Sequence, residues 1–203
     1  MLQYQAVEPA TLGLLRKLQL KPYLDKFYLV GGTALAMHLG HRVSVDIDLF
    51  TLEDFNPDEI LTYLSSDFNT IEPLIKTNNT LLAEVEGIRV DLIKFNYPFQ
   101  RIIKEDDIRL LSLEDIAPMK LDAITGRGKK KDFYDLFYLL QRFTLSEMLD
   151  LHKQKYQHST LFHVIKSLTW FADAEDDAEP LVLDKSITWQ IVKSEISKAV
   201  NLL

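Results

Sequence analysis

Two aspartates separated by a single residue lie in an alternating stretch of this chain. They are Asp46 and Asp48, in the segment Arg42–Phe50, whose alternation predicts a strand with Arg42, Ser44 and both aspartates on one face. On a β-strand, residues two apart project from one face about 6–7 Å from each other, near enough for two carboxylates to hold one cation. Oxygen ligands suit Mg²⁺, with Mn²⁺ as an alternative. The pattern predicts a divalent metal site, although a strand with one solvated face alternates in the same way.

A glycine turn precedes these aspartates. Gly31-Gly32-Thr33 follows the apolar run Phe27–Val30 and opens the helix-like segment Ala34–Met37. Backbone N–H groups at a helix start bind phosphate, and glycine lets a ligand approach closely. The turn and the aspartates together predict a site for a metal-bound polyphosphate. The predicted nucleotide contacts are Gly31, Gly32, Thr33, and Arg42 and Ser44 on the polar face of the aspartate strand.

This pairing of a glycine turn with Asp-x-Asp resembles the DNA polymerase β-like nucleotidyltransferase superfamily. In that superfamily a third carboxylate comes from a neighbouring strand. Asp91, in the second alternating run Glu86–Ile93, matches that position. The resemblance implies that Asp46, Asp48 and Asp91 hold two Mg²⁺ ions.

Later motifs narrow the resemblance to one branch. Lys120-Leu121-Asp122-Ala123 and the segment Arg127–Leu136 are similar to motifs of the AbiEii/AbiGii toxin family, in the same order. The family implies transfer of a nucleoside monophosphate from an NTP to an acceptor hydroxyl, on the 3′ end of tRNA or on a protein. It also implies a cognate antitoxin as partner. By motif match, Lys120 would contact the triphosphate, and Asp132 or Asp135 would complete the site.

The first half of the chain shows the pattern of a small mixed sheet with helices. Apolar spacing predicts a helix over Pro9–Gln19, and Asn56 with Pro57 predicts the start of another that runs to Leu64. Strands are predicted at Thr70–Lys76, Leu81–Val85 and Val90–Phe95, the first two joined by a turn at Asn78-Asn79.

After Leu111 the pattern becomes helical. Ser112 predicts a helix cap, although Pro118 favours a later start, and a second helix is predicted over Lys129–Leu140. Trp170 and Trp189 are predicted to lie in the core, and the acidic stretch Ala172–Pro180 to form a solvated loop. The predicted fold class is α+β (mixed α/β): a catalytic core over residues 1–110 with an N-terminal helix, and a helical region over 111–203 that completes the cleft.

Composition limits the other possibilities. The chain has 203 residues, 47% of them hydrophobic, a formal net charge of −7 and no cysteine. Disulfides and thiolate metal sites are therefore excluded, and an acidic chain is not typical of proteins that coat duplex nucleic acid. The sequence has no long apolar run and no secretory signal pattern, so we expect a cytoplasmic protein with no membrane partner. The basic group Arg127 and Lys129–Lys131 either forms a solvated loop or binds the phosphates of an RNA or a nucleotide.

Two other functional classes stay open at this level. Asp-x-Asp also occurs in glycosyltransferases that bind nucleotide sugars through a metal, although the Gly-Gly-Thr turn is then unexplained. The same fold could also serve as a catalytically inactive binding or regulatory module. His38 and His41 flank the predicted pocket and are assigned no role.

Overall fold

A mixed seven-stranded sheet forms the centre of the computed structural model, which describes residues 1–157 and 160–203. The strand order is β3-β4-β5-β2-β1-β7-β6. The strands are β1 (Tyr28–Leu29), β2 (Ile47–Thr51), β3 (Ile71–Thr77), β4 (Thr80–Val85), β5 (Ile88–Lys94), β6 (Ile102–Glu105) and β7 (Ile108–Leu111).

Strand β2 lies near the middle of this sheet, antiparallel to β1 and parallel to β5. The parallel register places Asp48 directly opposite Asp91. Side chains at paired positions of neighbouring strands point to the same face. The sheet therefore brings together two carboxylates that are far apart in sequence.

Eight α-helices flank the sheet in the described part of the chain. They are α1 (Pro9–Gln19), α2 (Gly31–Leu39), α3 (Pro57–Asp67), α4 (Leu113–Gly126), α5 (Lys130–Leu139), α6 (Leu145–Lys155), α7 (Leu161–Leu168) and α8 (Trp189–Asn201). Local capping sets several of their starts. Asn56 accepts a hydrogen bond from the Asp58 N–H, and Thr144 forms a capping box with Glu147.

One hydrophobic core connects the sheet to the helices. It contains Leu29, Ile47 and Leu49 from the central strands, and Leu121 and Phe133 from α4 and α5, all fully buried. None of the described helices combines the length and the apolar character that crossing a membrane requires. The predicted division into domains at residue 110 stays a prediction, although the last strand ends at Leu111 and helices follow.

Most of the local predictions are confirmed. Helix α1 has the predicted bounds Pro9–Gln19, and α3 starts after the Asn56 cap and continues three residues beyond Leu64. The predicted hairpin forms between β3 and β4 with Asn79 at a positive φ of 58°. The hairpin of β6 and β7 was not predicted.

The predicted strand over Arg42–Phe50 is wrong in its first half. The regular ladder begins only at Ile47, and Arg42 and Ser44 make isolated bridges with Val182 and Val7. Arg42 and Ser44 are 4% and 5% exposed, whereas Val45 is 49% exposed. The polar and apolar faces are therefore reversed at these three residues, because the Arg42 side chain pairs with the buried Asp135 of α5 and the Ser44 hydroxyl bonds to the buried Thr33.

Three further predictions need correction. Helix α4 begins at Leu113 and contains Pro118, so the proline does not delay its start. Trp170 is 58% exposed and does not belong to the core, while Trp189 packs on Phe133 as predicted.

The acidic stretch Ala172–Pro180 is not simply a solvated loop, because it surrounds the buried Lys130. The Lys130 ammonium donates to the carbonyls of Glu175 at 3.0 Å and Asp177 at 2.7 Å, and to the Glu179 carboxylate at 3.2 Å. A buried charge needs such partners. The stretch therefore supplies the counter-charge of Lys130, so this lysine belongs neither to a solvated loop nor to a free phosphate site.

Candidate active site

The glycine turn packs directly on the aspartate strand. Gly31 has φ +65°, and a Cβ added there would lie 2.2 Å from the Asp48 Oδ2 atom. A Cβ added at Gly32 would lie 2.3 Å from the Arg42 guanidinium. Both positions therefore require glycine, the first also for its left-handed backbone. Helix α2 begins at Gly31, so the N–H groups of its first turn have no partner within the helix.

A polar cavity of about 150 Å³ lies beside this turn. We call it the carboxylate cavity. It is small and almost entirely polar, as expected for a site that receives charged groups rather than an apolar ligand. Its lining consists of three acids (Asp46, Asp48, Asp91), five cations (Arg42, Arg89, Lys120, Arg127, Lys131), Gly32 and Ser44.

The three acids of the cavity differ in their surroundings. Asp46 pairs with Lys131 at 3.3 Å, and Asp91 pairs with Arg89 at 3.0 Å. Asp48 makes no ion pair with any described residue. Burial, and next the negative charge of Asp91, raise the pKa of Asp48 to about 6. This carboxylate is therefore held at a position where a cation would relieve its repulsion.

The carboxylates are not already arranged as a metal cage. Among residues 1–157 and 160–203, no three His, Cys, Asp or Glu side chains are grouped closely enough to hold a metal ion. The donor set nevertheless suits a hard divalent cation, because it consists of carboxylate oxygens on one face of the sheet. The fit is supported by the position of Asp48, which lies opposite Asp91 and forms no ion pair with any described residue. Arg89 and Lys131 form ion pairs with Asp91 and Asp46. Both side chains must move away before all three carboxylates can bind one ion.

A buried ionic network lies beneath the cavity, centred on Asp135 of α5. Its carboxylate accepts from Arg42 Nε at 2.7 Å, stands 2.8 Å from Lys120 Nζ, and lies 2.7 Å from His41 Nε2. Burial alone would raise the pKa of Asp135, but Arg42 and Lys120 outweigh it and hold the pKa well below the ordinary value. Asp135 is fully buried and outside the cavity lining. Asp135 therefore holds the side chains of Arg42 and Lys120 in position.

Asp132 has a similar role one helical turn earlier. It accepts from Lys120 at 2.9 Å and from Arg127 at 3.0 Å. Burial favours a raised pKa for Asp132, yet Lys120 and Arg127 lower it overall. Lys120 is 4% exposed and lines the cavity, so it is not an ordinary surface lysine.

Most of the predicted site residues meet at this cavity. Gly32, Arg42, Ser44, Asp46, Asp48, Asp91 and Lys120 line it, and Gly31 contacts Asp48 from the adjoining side. Thr33 does not reach it. The Thr33 hydroxyl is fully buried and bonds to the Ser44 hydroxyl at 2.8 Å and to the Asp46 carbonyl. Thr33 therefore fixes the turn against the strand instead of offering its hydroxyl to a nucleotide.

The sequence did not indicate the roles of three residues of the site. Arg89, which was not singled out, pairs with Asp91; Lys131, noted only as part of a basic group, pairs with Asp46; and His41, which was assigned no role, bonds to Asp135. Arg89 stands two residues before Asp91 on one strand, so strand alternation could have indicated that they share a face. The partners of His41 and Lys131 lie in distant segments, so no local pattern could indicate which acid each one meets.

Comparison with known proteins identifies a matching family model and a relative. The family model described as "Nucleotidyl transferase AbiEii toxin, Type IV TA system" matches residues 13–102 and 88–199. An uncharacterized protein of Aquifex aeolicus (strain VF5) is 36% identical over 159 residues, which cover 75% of this chain and 77% of that protein.

Two solved structures share the fold at low identity. JHP933 from Helicobacter pylori is 18% identical, with a TM-score of 0.57 over 97% of this chain and 92% of its own. The nucleotidyltransferase toxin MenT4 of Mycobacterium tuberculosis H37Rv is 12% identical, with a TM-score of 0.54 over 95% of this chain and 83% of its own.

Proposed function

This chain belongs to the AbiEii nucleotidyltransferase family and is a nucleotidyltransferase, and on that premise we propose that it moves a nucleoside monophosphate from an NTP to an acceptor hydroxyl. One observation carries the proposal. Three aspartates, a glycine turn at a helix start and five cations line a single polar cavity. A triphosphate needs these groups, because it brings several negative charges that must be neutralised and oriented together.

The basic groups of the cavity would bind the triphosphate, and two buried aspartates hold these groups in position. The first N–H groups of α2 and the buried Lys120 and Arg42 offer fixed positive ends to the triphosphate. Asp132 and Asp135 hold these cations in place, so little reorganisation is needed when charge develops. Arg127 is half-exposed and lines the cavity, so its guanidinium group can bind the phosphates as they enter.

Asp46, Asp48 and Asp91 are the residues that would hold divalent metal, with Mg²⁺ as the expected ion and Mn²⁺ as an alternative. When bound, such ions activate an attacking hydroxyl and neutralise the leaving pyrophosphate. The raised pKa of Asp48 supports this assignment, because burial and the charge of Asp91 outweigh the nearby Lys120 and Arg127, and a bound cation would stabilise the ionised carboxylate. Lys131 and Arg89 would be released from Asp46 and Asp91 and become available to substrate phosphates.

The family description motivates our proposal for the acceptor and the cellular role. We propose an RNA 3′ end, of which tRNA is one form, or a protein hydroxyl as acceptor. We also propose that the chain is the toxin of a toxin–antitoxin pair, as the family description indicates. A cognate antitoxin would then be its protein partner.

The experiment uses each α-³²P-labelled NTP in turn with Mg²⁺ and total cellular RNA or protein. We expect label to pass from one or more NTPs to a single class of acceptor. Asp48→Asn should lose transfer by at least 100-fold, since it removes the central carboxylate. Asp150→Asn is the matched control, because Asp150 is exposed on α6 and distant in sequence from every cavity residue. Wild-type turnover in a folded Asp48→Asn variant would contradict the proposal.

A further inference from the structure

The side of the sheet that contains β3, β4 and β5 has two different faces. Along β4, Leu81 and Ala83 are buried, whereas Leu82 is half-buried and Glu84 is exposed. Helix α3 packs against the buried face. We call the opposite face of these three strands the open face. It carries Glu72 and Ile75 of β3, Leu82 and Glu84 of β4, and Arg89 and Asp91 of β5.

A row of paired residues leads from the carboxylate cavity across the open face. Asp48 of β2 lies opposite Asp91, Asp91 lies opposite Leu82, and Leu82 lies opposite Ile75. Ile75 is 51% exposed. Neighbouring strands lie about 5 Å apart, so a molecule with a hydroxyl group near Asp91 would extend over the apolar side chains of Leu82 and Ile75.

The next row contains two acids that have no cation beside them. Glu84 lies directly opposite Glu72, and both side chains are exposed. Neither forms an ion pair with a residue in the described part of the chain, since Arg89, the other neighbour of Glu84, pairs with Asp91. Like charges directly opposite each other on neighbouring strands lower stability. Such local conflicts are expected at functional sites, and a cationic partner would relieve this one.

We propose that the open face binds a protein acceptor, through a segment with basic and apolar side chains beside a Ser, Thr or Tyr hydroxyl. This inference rests on the proposed function and selects its acceptor. Lys or Arg of the acceptor pairs with Glu72 and Glu84, and its apolar side chains cover Leu82 and Ile75. The hydroxyl oxygen bonds to the α-phosphorus of the NTP as the bond to pyrophosphate breaks, and the hydroxyl proton passes to solvent.

The chemistry of the open face favours protein over RNA. Complementary charge selects partners, and the phosphates of an RNA would meet the two free carboxylates of Glu72 and Glu84. Single-stranded RNA is usually held by bases that stack on aromatic rings. Strands β3, β4 and β5 contain no Phe, Tyr, Trp or His, so the open face offers no ring from these strands.

A charge reversal tests the acidic row. Glu72→Lys lies on β3, outside the lining of the carboxylate cavity, and Asp150→Lys makes the same change at an exposed position on α6 as the control. Each variant receives α-³²P-labelled NTP and Mg²⁺, with total cellular protein or total cellular RNA at limiting concentration. We expect label in protein, at an initial rate reduced roughly 3- to 30-fold in Glu72→Lys and unchanged in Asp150→Lys.

An apolar-to-polar change tests the other row. Ile75→Asn removes an exposed apolar side chain from the open face, and Ile191→Asn does so at a 40% exposed position on α8. We expect slower labelling of protein in Ile75→Asn alone. The wild-type rate should also fall as KCl is added, and less steeply in Glu72→Lys, because salt screens exposed charges.

Two measurements show that the variants are intact. Calorimetry with NTP and Mg²⁺ should give wild-type affinity in Glu72→Lys and Ile75→Asn, since neither residue lines the carboxylate cavity. Glu72→Lys should also raise the Tm, because it places opposite charges where Glu72 and Glu84 now repel each other.

The outcomes separate this inference from the proposed function. Label in RNA but not in protein would overturn the protein acceptor and leave the transferase proposal standing. Protein labelling at the wild-type rate in both Glu72→Lys and Ile75→Asn would overturn the role of the open face. If both acceptors are labelled, an equal loss for RNA and protein in these variants would overturn it as well. A folded wild-type protein that labels neither acceptor with any NTP would overturn both proposals.

Discussion

Asp48 and Asp91 face each other in register on the parallel strands β2 and β5, and only Asp91 has a cation beside it. Their proximity contributes to the raised pKa of Asp48. A protein that places two carboxylates side by side and neutralises only one loses stability in the absence of a ligand. This loss of stability can be measured, and it is expected at a site that binds cations.

The pH dependence of stability follows from this pair. Burial and Asp91 raise the pKa of Asp48 from 3.8 to about 6, so the folded chain binds a proton more tightly than the unfolded chain does. Asp48 therefore destabilises the metal-free protein progressively as pH rises from about 4 to 6, by at most about 3 kcal/mol. Asp48→Asn should be more stable than wild type at pH 8 and equal to it at pH 4. Urea unfolding in EDTA at both pH values measures this, and an equal difference at both would contradict it.

Gly31→Ala should damage both the fold and the site. The new Cβ would meet the Asp48 carboxylate at 2.2 Å in a left-handed backbone, which we expect to cost about 1–3 kcal/mol and to displace Asp48. Gly13→Ala is the matched control, because Gly13 lies inside α1 with no neighbouring atom within 4 Å of an added Cβ. That change should stabilise the protein by about 0.5–1 kcal/mol. Thermal unfolding compares the two, and equal effects would argue against the close approach at Gly31.

Asp135→Asn should lower the free energy of unfolding. The carboxylate is fully buried and serves Arg42, Lys120 and His41, so its loss leaves charges without a partner and should cost about 3–5 kcal/mol. Asp150→Asn, at an exposed position, should change the unfolding free energy by less than about 0.5 kcal/mol. Denaturant unfolding provides the measurement. A loss no larger than that of Asp150→Asn would show that the network is not needed for folding.

Arg89→Gln and Lys131→Gln should each strengthen metal binding. These cations compete for Asp91 and Asp46, but both are partly exposed, with 50% and 42% of their side chains accessible, so the pairs are weak. We expect Mn²⁺ affinity to rise roughly 1.5- to 5-fold for each, as titration calorimetry would show. Lys17→Gln removes the same charge where the partner is Glu86 and should leave Mn²⁺ affinity unchanged. Weaker Mn²⁺ binding in Arg89→Gln would show that this arginine assists the metal instead.

The comparison of sequence with structure is clearest at β2. The alternation Asp46-Ile47-Asp48 predicted two neighbouring carboxylates, and both line the carboxylate cavity, although the regular strand begins only at Ile47. The same alternation failed at Arg42 and Ser44, which are buried although the pattern placed them on a wet face. Their burial depends on Val7, Val182 and Asp135, and no local pattern reports where such distant segments will lie.

The sequence by itself determined the local pieces: the glycine turn, the helix caps, the strand periods and the motif order that identifies the family. These rest on backbone preferences and side-chain spacing within a few residues, so they can be predicted from the chain alone. Only the tertiary structure decided that Asp135 and Asp132 anchor cations, that Asp48 is left unpaired, and that a cavity lined by Phe50 and Phe95 adjoins the carboxylates. The physical reason is that ion pairing and cavity shape arise where segments distant in sequence pack together, and burial then sets which charges must be matched.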